Sequence, residues 1–147
     1  MEKFDPILHV VGSSTILEPD GTWPSFYEST VRTLKFSLEN FGTEKSPWIS
    51  PAIEVSIEMT EHENPYIVDL KLHNCDEIQM FHFNHSNVIE ELAFYFEHRG
   101  FYTNGVTPLP PYICVKLGAP NYTVALTLKC SKVEVLGRRE IQKLSNA

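Results

Sequence analysis

The feature of this sequence that most constrains its fold is a strict alternation of apolar and polar side chains. It is clearest from Ile53 to Thr60, where four apolar and four polar residues take turns. Successive side chains of a β-strand point to opposite faces, so this pattern predicts a strand with one buried and one solvated face. The pattern returns from Tyr66 to Leu72, and the polar segment 61–65 between the two is typical of a turn. We therefore predict that these two strands pair as a hairpin.

Other segments are also typical of β-strands and bring the predicted total to about eight. They are Val31–Leu38, Ile78–Phe83, Leu92–Glu97, Tyr112–Leu117, Tyr122–Cys130 and Lys132–Leu136. Only Asp5 to Gly12 is typical of a helix, because Asp is a favoured N-cap, Pro6 suits the first turn and Gly ends helices. The sequence therefore predicts a mainly β fold, either an antiparallel β-sandwich or a strongly curved sheet, with one short N-terminal helix.

The chain is expected to form a single domain over residues 1–147, because no repeat, linker or low-complexity segment divides it. Long helices do not alternate with strands, which argues against a Rossmann fold or another parallel sheet. Two stretches are expected to connect strands, namely Thr43–Pro51 and the proline-rich loop around residues 108–111. The polar residues 137–147 are expected to form a frayed tail.

The amino-terminal residues do not resemble a secretion signal. Met1 to Pro6 contains acids and a proline where a signal would carry a basic patch and then an apolar stretch. The longest unbroken apolar run, Leu92 to Phe96, has five residues. A membrane-spanning helix needs roughly 18 or more. We therefore expect a cytoplasmic protein with no membrane partner.

The net charge of −7 is concentrated in the first half of the chain. Residues 1–65 contain eleven acids and four bases, whereas residues 66–147 contain eight of each. Binding to a phosphate backbone needs clustered Lys and Arg, so this distribution argues against a nucleic-acid partner. It is compatible with docking to a basic protein, although a solvated surface accounts for the same charges.

Two groups of acids are candidate partner-binding sites. The first lies on the polar face of the strand Ile53–Met59 and in the adjoining turn, and we expect its side chains to be exposed. The second flanks a bend predicted at Phe81–Ile89. The first group is Glu54, Glu58, Glu61 and Glu63, and the second is Asp76, Glu77, Glu90, Glu91 and Glu97. Charges at the rim of an interface mainly steer the approach of a partner.

The residue types that carry enzyme chemistry form no recognisable pattern. His82 and His85 do not match a zinc-binding spacing such as HExxH, so we predict no metal site. No GxSxG, P-loop or GxGxxG motif is present. The cysteines lack CxxC spacing and lie in apolar patterns, where burial raises the pKa of a thiol. They are Cys75, Cys114 and Cys130. We predict neither catalysis nor a cofactor.

Four aromatic residues leave a second class of function open. Aromatic rings at strand positions belong to the core more often than to a ligand site. An exposed row of rings beside a groove would nevertheless suit a ligand- or carbohydrate-binding β-sandwich. The four are Trp23, Trp48, Tyr95 and Tyr102. A hydrolase is the third alternative, because a sequence does not give the separations between carboxylates.

Three segments together resemble a known family. They are GTWPSFYESTV at residues 21–31, FNHSNVI at residues 83–89 and LKCSKVEV at residues 128–135. Their order and spacing are similar to those of the immunity protein 50 family of bacterial polymorphic-toxin systems. Its members carry a WPSF segment, an F-N-H-x-N-V segment and a late strand that ends in a cysteine-containing turn. Tyr27 and Glu28 stand where that family usually has His and Asp, so a role for that pair does not carry over.

The resemblance implies a small cytosolic protein that binds a cognate toxin domain and blocks its activity by stoichiometric occlusion. A motif shared among proteins with different toxin partners is expected to be scaffold, so we interpret the matching residues as structural. Trp23 would anchor the core and Pro24-Ser25 would form a turn. The polar residues of the second segment would satisfy backbone groups in a bend. The full set is Trp23, Pro24, Ser25, Phe26, Asn84, His85 and Asn87.

Overall fold

The computed structural model describes residues 2–60, 64–83, 87–118 and 125–141. Within them the chain forms one α-helix, α1 (Pro6–His9), one 3-10 turn (Ser13–Thr15) and nine β-strands. The strands are β1 (Ser29–Thr43), β2 (Ser46–Met59), β3 (Tyr66–His73), β4 (Asp76–Phe81), β5 (Val88–Ile89), β6 (Glu91–Glu97), β7 (Tyr112–Gly118), β8 (Ala125–Cys130) and β9 (Lys132–Glu140).

The strands form two antiparallel sheets. The five-stranded sheet has the order β5-β1-β2-β3-β9 and the four-stranded sheet the order β4-β8-β7-β6. The chain passes between the sheets through Asn74-Cys75 and again through Ser131, so these two crossings lie at the same end of the fold. The prediction of a mainly β, antiparallel fold with one short N-terminal helix is confirmed.

The core lies between the sheets and is built from the alternating residues. Ile53, Val55, Ile57 and Met59 of β2 are all buried, and Glu54 lies on the opposite face of the strand. The inward residues of β3 are also buried, and β3 pairs antiparallel with β2, as the predicted hairpin requires. The buried residues of both sheets form one continuous apolar cluster. The predicted turn between β2 and β3 includes residues 61–63, which lie outside the described part of the chain.

The predicted helix begins as expected but ends early. Asp5 caps it by accepting a hydrogen bond from the Ile7 backbone N–H, and Pro6 occupies the first turn. The helix ends at His9, before the expected Gly12. Gly12 instead adopts a left-handed conformation with φ 76° and leads into the 3-10 turn. A Cβ atom here would lie 2.8 Å from the Val135 carbonyl oxygen, so the close approach to β9 requires glycine.

The expected connection at Thr43–Pro51 is wrong. β1 continues to Thr43 and β2 begins at Ser46, so a two-residue turn joins two long paired strands. Prolines usually mark breaks in strands, but an edge strand tolerates them where no neighbour needs the N–H. Pro47 and Pro51 lie in the stretch of β2 before its pairing with β3, which begins at Ala52. We name residues 38–51, the part of the β1–β2 hairpin beyond β3, the arm.

Two further expectations at the ends of strands are corrected. The segment expected to be frayed from Gly137 onwards is ordered as far as Glu140, because β9 continues along β3 through a bulge. Residues 142–147 lie outside the described chain. The short strand β5 was not predicted, and it pairs with Ser29 and Thr30 at the start of β1. Tyr122, the predicted start of β8, also lies outside the described residues.

Candidate protein-binding surfaces

The first predicted acidic group lies on the outer face of the five-stranded sheet, where bases from other strands oppose its charge. Arg32 Nη1 lies 2.8 Å from a carboxylate oxygen of Glu58, whose side chain is only 19% exposed. Lys71 Nζ lies 3.9 Å from Glu54 and 2.6 Å from Glu39. The expectation of freely exposed carboxylates is therefore wrong for Glu58. Glu61 and Glu63 lie outside the described residues.

The opposed charges follow from the strand register. Lys35, Glu54, Lys71 and Glu134 face one another in turn across β1, β2, β3 and β9, so a row of alternating charge crosses the sheet. Opposite charges at directly facing positions stabilise a sheet by roughly 0.2–1 kcal/mol per pair. This face therefore contributes to strand pairing, and the net negative charge expected there is largely compensated.

Asp69 shows the same compensation at the next position along β3. Burial raises the pKa of its carboxyl group, but hydrogen bonds from Arg139 and Ser56 outweigh that effect and leave the pKa below its ordinary value. The Arg139 Nε atom lies 2.8 Å from the carboxylate. Asp69 is therefore held in its charged form by partners on β2 and β9.

The second predicted acidic group is divided between two places. Lys129 Nζ lies 3.2 Å from Glu77 and 2.6 Å from Glu97, so it bridges acids on β4 and β6 and the pKa of its own amine is raised. Glu91 pairs with Gly118 at the other end of β6, and the Glu90 N–H bonds the Gly118 carbonyl there. Asp76 begins β4, at the end of the sheet where Lys129 lies. The structure therefore brings Asp76, Glu77 and Glu97 together and leaves Glu90 and Glu91 apart.

The WPSF segment is part of the scaffold, as expected. Phe26 is buried, and Trp23 packs on it with ring centroids 5.9 Å apart and on Phe94 at 6.4 Å. Pro24 is also buried. The Ser25 hydroxyl accepts a hydrogen bond from the Tyr27 N–H, which closes the turn.

In the second motif, the Asn87 carbonyl accepts a hydrogen bond from the Val31 N–H and so joins the segment to β1. This bond is made by the backbone, so the role expected for the polar side chains of the motif stays a prediction. Asn84 and His85 lie outside the described residues.

The aromatic residues considered for ligand stacking are dispersed. Trp23 packs on the core, Trp48 lies in the arm, Tyr95 on the outer face of β6 and Tyr102 in the loop between β6 and β7. They do not form the exposed row that the carbohydrate-binding alternative requires.

The cysteines and His73 are engaged in the fold and show no catalytic or metal-binding arrangement among the described residues. Burial raises the pKa of Cys75 to about 12 and also raises those of Cys114 and Cys130, so all three remain protonated thiols at neutral pH. His73 Nε2 lies 2.9 Å from a Glu134 carboxylate oxygen. In the part of the chain that the structure describes, no three His, Cys, Asp or Glu side chains are grouped to hold one metal ion.

The most unusual surface of the protein is the arm, which the sequence interpretation missed. Phe36 at its base is 57% exposed, and Leu38 and Ile49 within it are 64% and 68% exposed. The register places these three side chains on one face of the hairpin. Further along β2, Ile53 and Val55 lie on the same face and are buried. Phe41 and Trp48 pair on the opposite face, with ring centroids 5.5 Å apart.

A second exposed apolar group lies at the same end of the fold. The loop between β6 and β7 leaves the four-stranded sheet beside the end of β8, the end at which the chain crosses to β9. Phe101, Tyr102 and Val106 of this loop are at least half exposed. The sequence contained one signal for the exposed face of the arm, because the alternation of β1 continues through Phe36 and Leu38.

Comparison of the chain with protein-family models, curated proteins and solved structures gave no match. Among the helices in the described ranges, none is long and apolar enough to cross a membrane.

Proposed function

We propose that this protein is a non-catalytic binding protein that acts by contact with another protein, and that its partner is a bacterial toxin domain which it neutralises by occlusion. The observation that carries the proposal is the exposed apolar face of the arm. Large exposed apolar patches usually mark interaction sites, because water-exposed apolar surface is otherwise unfavourable and promotes aggregation.

The arm has the composition of an interface centre. Interfaces gain most of their affinity from a few large side chains, with aromatic residues prominent, surrounded by polar residues at the rim. Phe36, Leu38 and Ile49 supply the apolar surface on one face, and Trp48 supplies an aromatic ring on the other. Glu39, Glu44 and Lys45 lie close by in the same hairpin and would form the rim.

The toxin as partner rests on the resemblance of three segments to the immunity protein 50 family. The position of the WPSF segment supports this interpretation, because Trp23 and Phe26 pack in or on the core and are not presented for binding. A shared scaffold with a separate contact surface is what a family with different toxin partners requires. The regional excess of acids would add a steering force toward a basic toxin.

Binding can be tested with the proposed toxin domain and two matched leucine variants. Leu38 in the arm is 64% exposed and Leu8 on α1 is 74% exposed, so replacing either with serine changes a similarly exposed side chain. We expect Leu38→Ser to raise the Kd at least tenfold, since an interface side chain commonly contributes more than about 1.4 kcal/mol. Leu8→Ser should leave the Kd unchanged.

Isothermal titration calorimetry gives both the affinity and the stoichiometry. Occlusion predicts one toxin domain per chain and loss of toxin activity in proportion to the complex formed. Equal affinities for the two variants would place the interface outside the arm. A toxin domain that binds neither variant nor the unmodified chain would contradict the proposed function itself.

A further inference from the structure

Over most of its length, the outer edge of β1 pairs with no residue that the structure describes. β2 pairs with the whole strand on one side. On the other side, β5 pairs with Ser29 and Thr30 only, and the Val31 N–H bonds the Asn87 carbonyl. From Leu34 to Thr43, no described residue pairs with this edge. A long uncovered edge offers a row of N–H and C=O groups to another strand.

Two other edges of the sheets are less suited to pairing with a second copy. Val11 covers the first part of the outer edge of β9, because its N–H bonds the Val133 carbonyl and its carbonyl accepts from the Val135 N–H. β6 is paired on one side by β7, and it carries Glu91 and Glu97 at its two ends. Full antiparallel pairing of β6 with a copy of itself would place Glu91 opposite Glu97, which repels. The edge of β1 carries no such obstacle.

We propose that two copies of this chain pair through the edges of their β1 strands, antiparallel about a two-fold axis at Ser37. The proposal concerns the outer edge of β1 around Ser37 and does not depend on a toxin as partner. Two identical strands that pair in this way form an isologous interface, in which each residue of one copy faces a defined residue of the other.

The backbone restricts the possible registers. In an edge strand, every second residue directs its N–H and C=O outward, and outward residues must face outward residues. A two-fold axis therefore passes midway between the two copies of one residue, which face each other. Because this axis is perpendicular to the sheet, the apolar faces of the two strands lie on the same side. The five-stranded sheets of the two copies would join into one continuous sheet with their core faces on the same side.

Charge selects the register centred on Ser37. It places Lys35 of each copy opposite Glu39 of the other, so the interface contains two opposite-charge pairs. Centring on Lys35 would place two lysines face to face, and centring on Glu39 would place two carboxylates face to face. Like charges at facing positions destabilise a sheet. A lysine on an edge discourages pairing with most strands, but in this register it has an acidic partner.

The same register matches apolar side chains. Phe36 of each copy faces Leu38 of the other on the core side, where both side chains are more than half exposed in the single chain. Strand pairing uses the edges and leaves the face of the sheet open. The arms of the two copies would therefore point in opposite directions from the axis, each beside residues 33–36 of the other copy, and their exposed apolar faces would join where Phe36 meets Leu38. The bulge between Val31 and Thr33 ends the regular part of the strand and limits the pairing to residues 33–41.

Charge reversal tests the proposal by sedimentation equilibrium. Lys35→Glu should raise the dimer Kd about tenfold, because two attractive pairs become repulsive. Glu39→Lys should have the same effect. An equimolar mixture of the two variants should recover dimerisation, because in the mixed dimer each carboxylate of one copy at positions 35 and 39 faces an amine of the other copy. Circular dichroism checks the folding of Glu39→Lys, which also loses the contact of Glu39 with Lys71.

Cross-linking gives a test that does not depend on folding of the charge variants. Ser37 faces itself across the axis, at a separation of about 4.5–5.5 Å between Cα atoms that allows a disulfide. The three native cysteines are buried, whereas Ser37 is partly exposed, so Ser37→Cys introduces a thiol that is more accessible than any native one. Mild oxidation should convert this variant to a covalent dimer. Thr33→Cys, on the same face of the same strand, faces Phe41 of the other copy and should remain unlinked.

Three outcomes would overturn the proposal. They are an unmodified chain that stays monomeric at every concentration, a dimer whose Kd is unchanged in Lys35→Glu, and equal cross-linking of the two cysteine variants. A monomer would leave this edge free for a strand of a different protein. None of these outcomes bears on whether a toxin domain binds the arm.

Discussion

The β1–β2 hairpin has a base, where β2 pairs with β3 (residues 52–59 of β2), and the arm. Both parts are built from the same two strands, yet the apolar side chains of the base are buried and those of the arm are exposed. In the base, Ile53 is fully buried between the sheets. In the arm, Ile49 lies on the same face of the same strand and is 68% exposed. The difference arises because the second sheet covers the hairpin only at the base. A hydrophobic side chain is therefore structural or available for binding according to what lies over it.

This contrast also separates stability from recognition. Burial of an apolar side chain between the sheets stabilises the fold, at roughly 25 cal/mol for each Å² removed from water. The exposed side chains of the arm do not contribute in this way until a partner covers them. The arm is accordingly the part of the fold in which substitutions can change binding without changing folding.

The largest expected effect distinguishes the two isoleucines. Ile53→Ala should lower the free energy of unfolding by about 2–5 kcal/mol, because it removes buried atoms and leaves a cavity. Ile49→Ala should change it by less than about 0.5 kcal/mol, as exposed positions usually do. Urea unfolding followed by tryptophan fluorescence measures both. A large loss of unfolding free energy in Ile49→Ala would show that Ile49 is packed against other residues in solution and would contradict the contrast between base and arm.

The base was predictable from the sequence and the arm was not, for physical reasons that specific residues illustrate. The alternation from Ile53 to Met59 has one interpretation, since four apolar residues on one face must be buried together. The arm contains Pro47 and Pro51, which usually interrupt strands. They are tolerated here because β3 does not reach this part of β2, and that fact belongs to the tertiary structure.

The charges of the outer face follow the same rule. Glu54 and Glu58 were correctly assigned to the polar face of β2, but their partners could not be identified from the local sequence. Lys71 is contributed by β3 and Arg32 by β1, and the pairs form only when the sheet is assembled. Local sequence therefore predicted which side of the strand each acid occupies, and long-range pairing determined its electrostatic surroundings.

A smaller effect tests this compensation through pH. The pKa of Asp69 lies below its ordinary value of about 3.9. The ionised carboxylate therefore stabilises the fold at pH values above about 3.9, and this stabilisation is lost as the pH falls through the lowered pKa. Asp69→Asn should therefore weaken the acid-induced loss of stability, by less than about 1 kcal/mol for a pair this exposed. Thermal unfolding between about pH 5 and pH 2 measures it.

Arg139→Gln provides the matched control, because it removes the other half of the pair. It should reduce the pH dependence by a similar amount, and the double variant should add little more, as expected for two groups that act on each other. If Asp69→Asn follows the same pH curve as the unmodified chain, the carboxylate is not stabilised by this pair in solution.

We propose that a partner covers the exposed arm, and hydrogen–deuterium exchange of the free and bound chain tests this proposal. Amide exchange is measured for the chain alone and in complex with the toxin domain proposed above as its partner. We expect slower exchange at residues 38–51 in the complex. The base residues 52–59 are already protected and should change little. Binding that leaves exchange in the arm unaltered and protects another surface would contradict it.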